Sequence, residues 1–89
     1  MKNIKNIFKS KIVKYYAEKY KNDIKLLELS IEFYREKVSS YDKSLELYAN
    51  DSKKFDAINH VYDKTVSMLN SECMELDIKR KKLDKMLSL

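Results

Sequence analysis

The chain contains no glycine, no proline and no tryptophan, and it has one cysteine and one histidine. Average usage would put about ten glycines and prolines in a chain of this length. Their absence removes the residues that make tight left-handed turns, strand bulges and Asn-Gly-type hairpins. It also removes the glycine-rich loops that cradle phosphates or dinucleotides, and the sharp turn of a nucleophile elbow. One histidine and one cysteine cannot build a zinc site within one chain. Cys73 cannot form an internal disulfide, so a reducing, cytoplasmic setting is the expectation. No uncharged run exceeds the seven residues from Thr65 to Ser71. That is far short of the ~20 apolar residues a membrane-spanning helix requires, and of the apolar centre of a secretory signal.

What remains is a helical composition. Leu, Lys, Glu, Met, Ala and Arg, all good helix formers, make up much of the 89 residues. The 44% hydrophobic content and ten aromatic residues argue against disorder, because the apolar positions are periodic. Seventeen lysines stand against two arginines. That bias suggests an AT-rich coding sequence, such as that of a low-GC bacterium or its phage.

Two apolar ladders dominate. Ile24, Leu27, Ile31, Tyr34, Val38, Tyr41, Leu45 and Tyr48 alternate steps of three and four, which keeps one seam facing a partner helix. Phe55, Tyr62, Leu69, Leu76 and Leu83 recur every seventh residue, with Ile58, Val66, Cys73 and Leu87 beside them. Between the ladders the polar stretch from Ala49 to Lys54 predicts a tight connection. Asp51 or Ser52 would cap the following helix, and Asn50 would tolerate a left-handed turn. A second capping pair, Asn22-Asp23, predicts a break that leaves a separate N-terminal helix. The expected domain is a single all-α unit over 1–89: helices at about 3–21, 23–49 and 54–88, a turn at about 50–53, and a long antiparallel, coiled-coil-like hairpin. Leu26, Phe33 and Leu47 form a further apolar row beside the first ladder. So wide an apolar face predicts extra cover, from a folded-back N-terminal helix or from a second hairpin in a dimeric helical bundle. Tyr34, Tyr41 and Tyr48 belong at the edge of such a core, where their hydroxyls reach water.

Charge is segregated. Residues 1–21 carry a net +6, residues 22–77 a net −5 and residues 78–89 a net +4. Folding at the turn sets residue i opposite about 103 − i, which gathers both basic segments at one end of a rod. Residues 1–13 then overhang their own hairpin. Ile4, Ile7, Phe8 and Ile12 share a helical face there, with Tyr15 following, and are the expected partner-binding anchors.

Carboxylates are plentiful, but Glu28, Glu32 and Glu36 fall on an outer flank and no Glu-x-x-His occurs, so a di-metal bundle is not expected. His60 is expected on the exposed face and Cys73 as a small apolar filler. Glu75 and Asp77 stand one turn before Lys79 and Lys81 and should pair with them. The expectation is a non-enzymatic interaction module, an adaptor, inhibitor, scaffold or regulator, without cofactor or small-molecule substrate. Its partner would be another protein or a second copy of itself. The competing expectation is binding of nucleic acid or an anionic membrane surface through Lys2, Lys5, Lys9, Lys11, Lys14, Lys79, Arg80, Lys81 and Lys82.

Overall fold

A computed structural model describes the backbone of residues 2–88, with side chains described from Lys9 to Ser88. Two helices account for nearly all of it: α1, Lys2–Leu47, and α2, Ser52–Leu87. They fold back on each other as an antiparallel hairpin, a rod of 75 × 15 × 14 Å.

The connection has the expected length but lies two residues earlier than expected, running from Tyr48 to Asp51. Asp51 N–H donates to the Tyr48 carbonyl at 3.0 Å and closes the turn. The side chain of Asp51 then accepts from Lys54 N–H at 3.2 Å, the N-cap bond that satisfies one of the free amides of α2. Asn50 does not take the left-handed conformation expected of it, since no residue with positive φ occurs among those described. A turn closed by an i to i+3 bond with negative φ throughout suits almost any residue, so glycine is not needed here. The Lys54 ammonium sits 5.0 Å from the centre of the Tyr48 ring, linking the two sides of the turn.

The expected separate helix over about 3–21 is instead the first part of α1, which runs unbroken through Asn22-Asp23. The capping residue is used otherwise: Asp23 accepts from Lys79 of α2 at 3.0 Å. Nothing in the chain stops a helix there, for want of proline or glycine, and the apolar seam continues across the site. Val13, Ala17 and Tyr20 extend the first ladder backward with the same alternating spacing, and each is buried or half-buried. The N-terminal stretch therefore does not fold back as a third layer.

Opposite this seam, α2 presents Phe55, Ile58, Tyr62, Leu69, Leu76, Leu83 and Met86. The centre of the contact is Ile24, Ile31 and Leu76, with Leu27, Leu69, Cys73 and Leu83 packed around it. Interleaved with these apolar residues, Thr65, Glu72 and Lys79 place one polar side chain in the seam every two turns. Two cross-helix bonds fix the register: Lys79 to Asp23, and Ser30 to Glu72 at 3.0 Å. In both pairs the residue numbers add to 102, one less than the sequence implied.

Candidate functional site

An interaction site on a rod of this kind is a helix face, so the relevant geometry is what each helix leaves uncovered. On α1 the seam occupies one side. On the other side Ile12, Tyr15, Leu26, Leu29 and Phe33 stand between 50% and 67% exposed. Their spacing of three, four or a multiple of seven keeps them in one stripe along the helix, interrupted only by Lys19 and Asn22. Lys37 lies 5.3 Å from the centre of the Phe33 ring and closes one end of the stripe. Met68, Met74 and Ile78 are also exposed on α2 but do not form one such row.

Of the anchors expected near the N-terminus, Ile12 is half-exposed and begins the stripe. The side chains of Ile4, Ile7 and Phe8 lie outside the described residues, as do those of Lys2 and Lys5. Leu29 was missing from the sequence reading of this face. Steps of three and four linking Leu26, Leu29 and Phe33 are the signal that would have found it.

The basic end is less uniform than the sequence suggested. Lys9, Lys11 and Lys14 are exposed. Lys9, Lys14 and Lys21 border an open groove of about 530 Å³ with Val13, Ala17, Met86 and Leu87, so the end of α2 does meet α1 near Lys14. The tetrad after Ile78, however, is largely neutralised. Lys79 bridges Asp23 at 3.0 Å and Glu75 at 3.8 Å, Arg80 bridges Glu28 at 2.9 Å, and Lys81 bridges Asp77 at 2.9 Å. The pairs within α2 follow from helical spacing. The bridges to Asp23 and Glu28 follow from the register, which places residues 79 and 80 beside the acidic edge of α1. The hydrogen bond from Lys79 to Asp23, helped by the nearby charges of Asp23 and Glu75, raises the lysine pKa above its ordinary 10.5 against the opposing effect of burial.

His60 is exposed, and Cys73 is half-buried against the Ile24–Ile31–Leu76 cluster. Glu32 and Glu36 are exposed on the flank of α1. No group of three or more His, Cys, Asp or Glu side chains converges as a metal site among the described residues. No described helix is long and apolar enough to cross a membrane. No protein-family model, curated protein or solved structure matches the chain.

Proposed function

We propose that this protein is a non-enzymatic interaction module, an adaptor, inhibitor, scaffold or regulator that works in the cytoplasm by presenting a helix face to another protein or to a second copy of itself. The observation that carries the reading is the outer stripe of α1, from Ile12 to Phe33, which the hairpin leaves in water. Apolar anchors at helical spacing are what helix-against-helix recognition requires. Tyr15 and Phe33 supply the aromatic rings in which interfaces of this kind are enriched.

The second reading, binding of nucleic acid or an anionic membrane by the cationic pole, draws support from the exposed Lys9, Lys11 and Lys14. It is weakened by the carboxylates that already hold Lys79, Arg80 and Lys81. Polyanion binding releases counterions and falls steeply with salt, whereas apolar docking does not. Affinity capture with the tagged full chain and with a Leu29→Glu, Phe33→Glu variant, at low and at moderate salt and with nuclease, separates the two. Protein partners retained at moderate salt and lost from the variant are the expected result. Partners that vanish with salt or nuclease, and that the variant keeps, would reverse the choice.

A further inference from the structure

The outer stripe of α1 matches itself when run antiparallel, and the geometry points to a second copy of this chain as its occupant; this rests on the interaction reading above and names the partner. In an antiparallel helix pair the residues facing across the contact have numbers that add to a constant, as they do within the hairpin itself. Setting that constant to 41 for the stripe puts Ile12 against Leu29 of the second copy and Tyr15 against Leu26, and two-fold symmetry repeats both layers in reverse. The two polar interruptions then meet each other, Lys19 against Asn22, at the centre of the contact. Apolar faces apolar throughout, and polar faces polar.

The flanking charges agree independently. Beside the stripe on α1 run Lys11, Glu18, Lys25 and Glu32, all exposed and none in an ion pair among the described residues. Flanking residues on this side meet two residues off the level of the stripe, with numbers adding to 43: Lys11 falls beside Glu32 of the second copy and Glu18 beside Lys25, so two-fold symmetry gives four opposite-charge pairs. The neighbouring registers fail. Sliding by seven residues one way sets Lys25 against its own copy and Glu18 against Glu32; sliding the other way sets Glu18 against its own copy and Lys11 against Lys25. Either slide also buries Lys19 or Asn22 against an apolar side chain. A parallel pairing in register stacks Lys19 on Lys19. One arrangement out of these satisfies both the stripe and its flanks, and a surface with no selection for self-pairing has no reason to be palindromic.

Because the stripe lies on the side of α1 away from α2, the assembly is a four-helix layer. The two α1 helices form its middle and the α2 helices its outside. The shared segment, residues 11–32, spans about 33 Å of helix at 1.5 Å per residue.

Charge reversal in the full chain tests this, since Glu18 and Lys25 are exposed and neither makes an ion pair within the hairpin among the described residues; Glu18 borders the open groove beside Met86 and Leu87. Analytical ultracentrifugation of the wild type from 1 to 100 µM (~) should show a dimer. Glu18→Lys and Lys25→Glu should each weaken the dimer about tenfold, because each converts two attractive pairs into two repulsive ones. The double variant Glu18→Lys, Lys25→Glu should restore affinity to within about threefold of wild type, and circular dichroism should show all four proteins equally helical. A wild-type monomer throughout would overturn the second copy as occupant. It would not touch the interaction reading, which fails separately if the Leu29→Glu, Phe33→Glu variant captures the same partners as wild type. A dimer indifferent to both single reversals, or not rescued by the double, would overturn this register.

Discussion

Glu72 is the weakest position in the seam, and replacing it with leucine should strengthen the hairpin. Its carboxylate lies between the helices, where one oxygen accepts from Ser30 Oγ at 3.0 Å. The other, Oε2, is buried and has no hydrogen-bond donor. Leaving such an acceptor without a partner costs about 1–3 kcal/mol. A leucine there would remove that cost and extend the apolar contact toward Leu69, Cys73 and Leu76, adding up to about 1.5 kcal/mol for a half-covered side chain. Against this stands the lost bond to Ser30, worth about 1 kcal/mol. The serine hydroxyl can instead donate to a carbonyl one turn back in its own helix. The net expectation for Glu72→Leu is a gain of about 2 kcal/mol, near the middle of a range from about 0 to 3.5 kcal/mol. At about 4–8 °C per kcal/mol for a domain of this size, a gain of about 2 kcal/mol should raise the melting temperature by about 8–16 °C. Thermal and urea melts followed by circular dichroism at neutral pH measure it. Glu72→Gln is the control: it keeps an acceptor for Ser30 and removes the charge from the seam but leaves its amide N–H in place of the orphaned oxygen, so it should fall between wild type and leucine. An unchanged or lowered melting point for Glu72→Leu would show that the orphaned oxygen carries no penalty, and would refute the account of this seam position.

Leu76→Ala removes one of the four buried apolar side chains and should cost about 2–5 kcal/mol, whereas Met74→Ala, at an exposed position on the same helix, should cost less than about 0.5 kcal/mol; comparable losses in denaturant melts would mean the seam is misassigned. Asp51→Ala deletes the N-cap of α2 and should cost about 0.5–2 kcal/mol, while Asp51→Asn should recover most of it. The Asp23 bond raises the Lys79 pKa in the folded state. Its stabilising contribution is therefore complete below the unfolded value near 10.4 and fades as pH climbs through the higher folded value. The stability difference between wild type and Lys79→Met should stay level from about pH 7 to 10 and shrink above that; a difference that grows in alkali would contradict the sign.

How much of this was legible beforehand depended on whether a residue's partner was local. The apolar ladders from Ile24 to Tyr48 and from Phe55 to Leu83 announced both helices, because a helix buries one side and the pattern repeats along the chain. The cap at Asp51 was legible for the same reason, since its partner is three residues away. Asn22-Asp23 misled because a capping side chain is a permissive signal: it favours a helix start where the chain must stop, and nothing obliged this one to stop. Asp23 found its donor 56 residues on, a contact that exists only once the register does. The tetrad from Lys79 to Lys82 was expected to pair only within its own helix, through Glu75 and Asp77, because Asp23 reads as a cap and Glu28 as an outer-flank carboxylate. The register of 103 − i sets Lys79 opposite Ile24, next to Asp23, but Arg80 opposite Asp23 and five residues from Glu28, so only the first bridge was within reach of it. The outer stripe was seen in pieces, as an N-terminal face and a side row, since the supposed break divided it. Only a continuous α1 joins Ile12 and Tyr15 to Leu26, Leu29 and Phe33.

The two faces of α1 bear on stability together. Among the described residues four apolar side chains are buried and none is fully enclosed, so the seam alone leaves a thin margin for an 89-residue chain. Part of that seam is polar, and its polar row does more for register than for strength. Sliding α2 by seven residues in one direction would set Glu72 against Asp23, a like-charge contact in place of the Ser30 and Lys79 bonds. Covering the stripe would add to that margin. Any species that binds the folded hairpin and not the unfolded chain stabilises it by mass action, and if that species is a second copy the melting temperature becomes a function of protein concentration. Raising the concentration from about 2 to about 200 µM should shift the midpoint upward by several degrees, and Lys25→Glu should flatten the dependence. A midpoint unchanged over that range would mean the hairpin draws no stability from its own copies, and that whatever covers Ile12 through Phe33 is a different molecule.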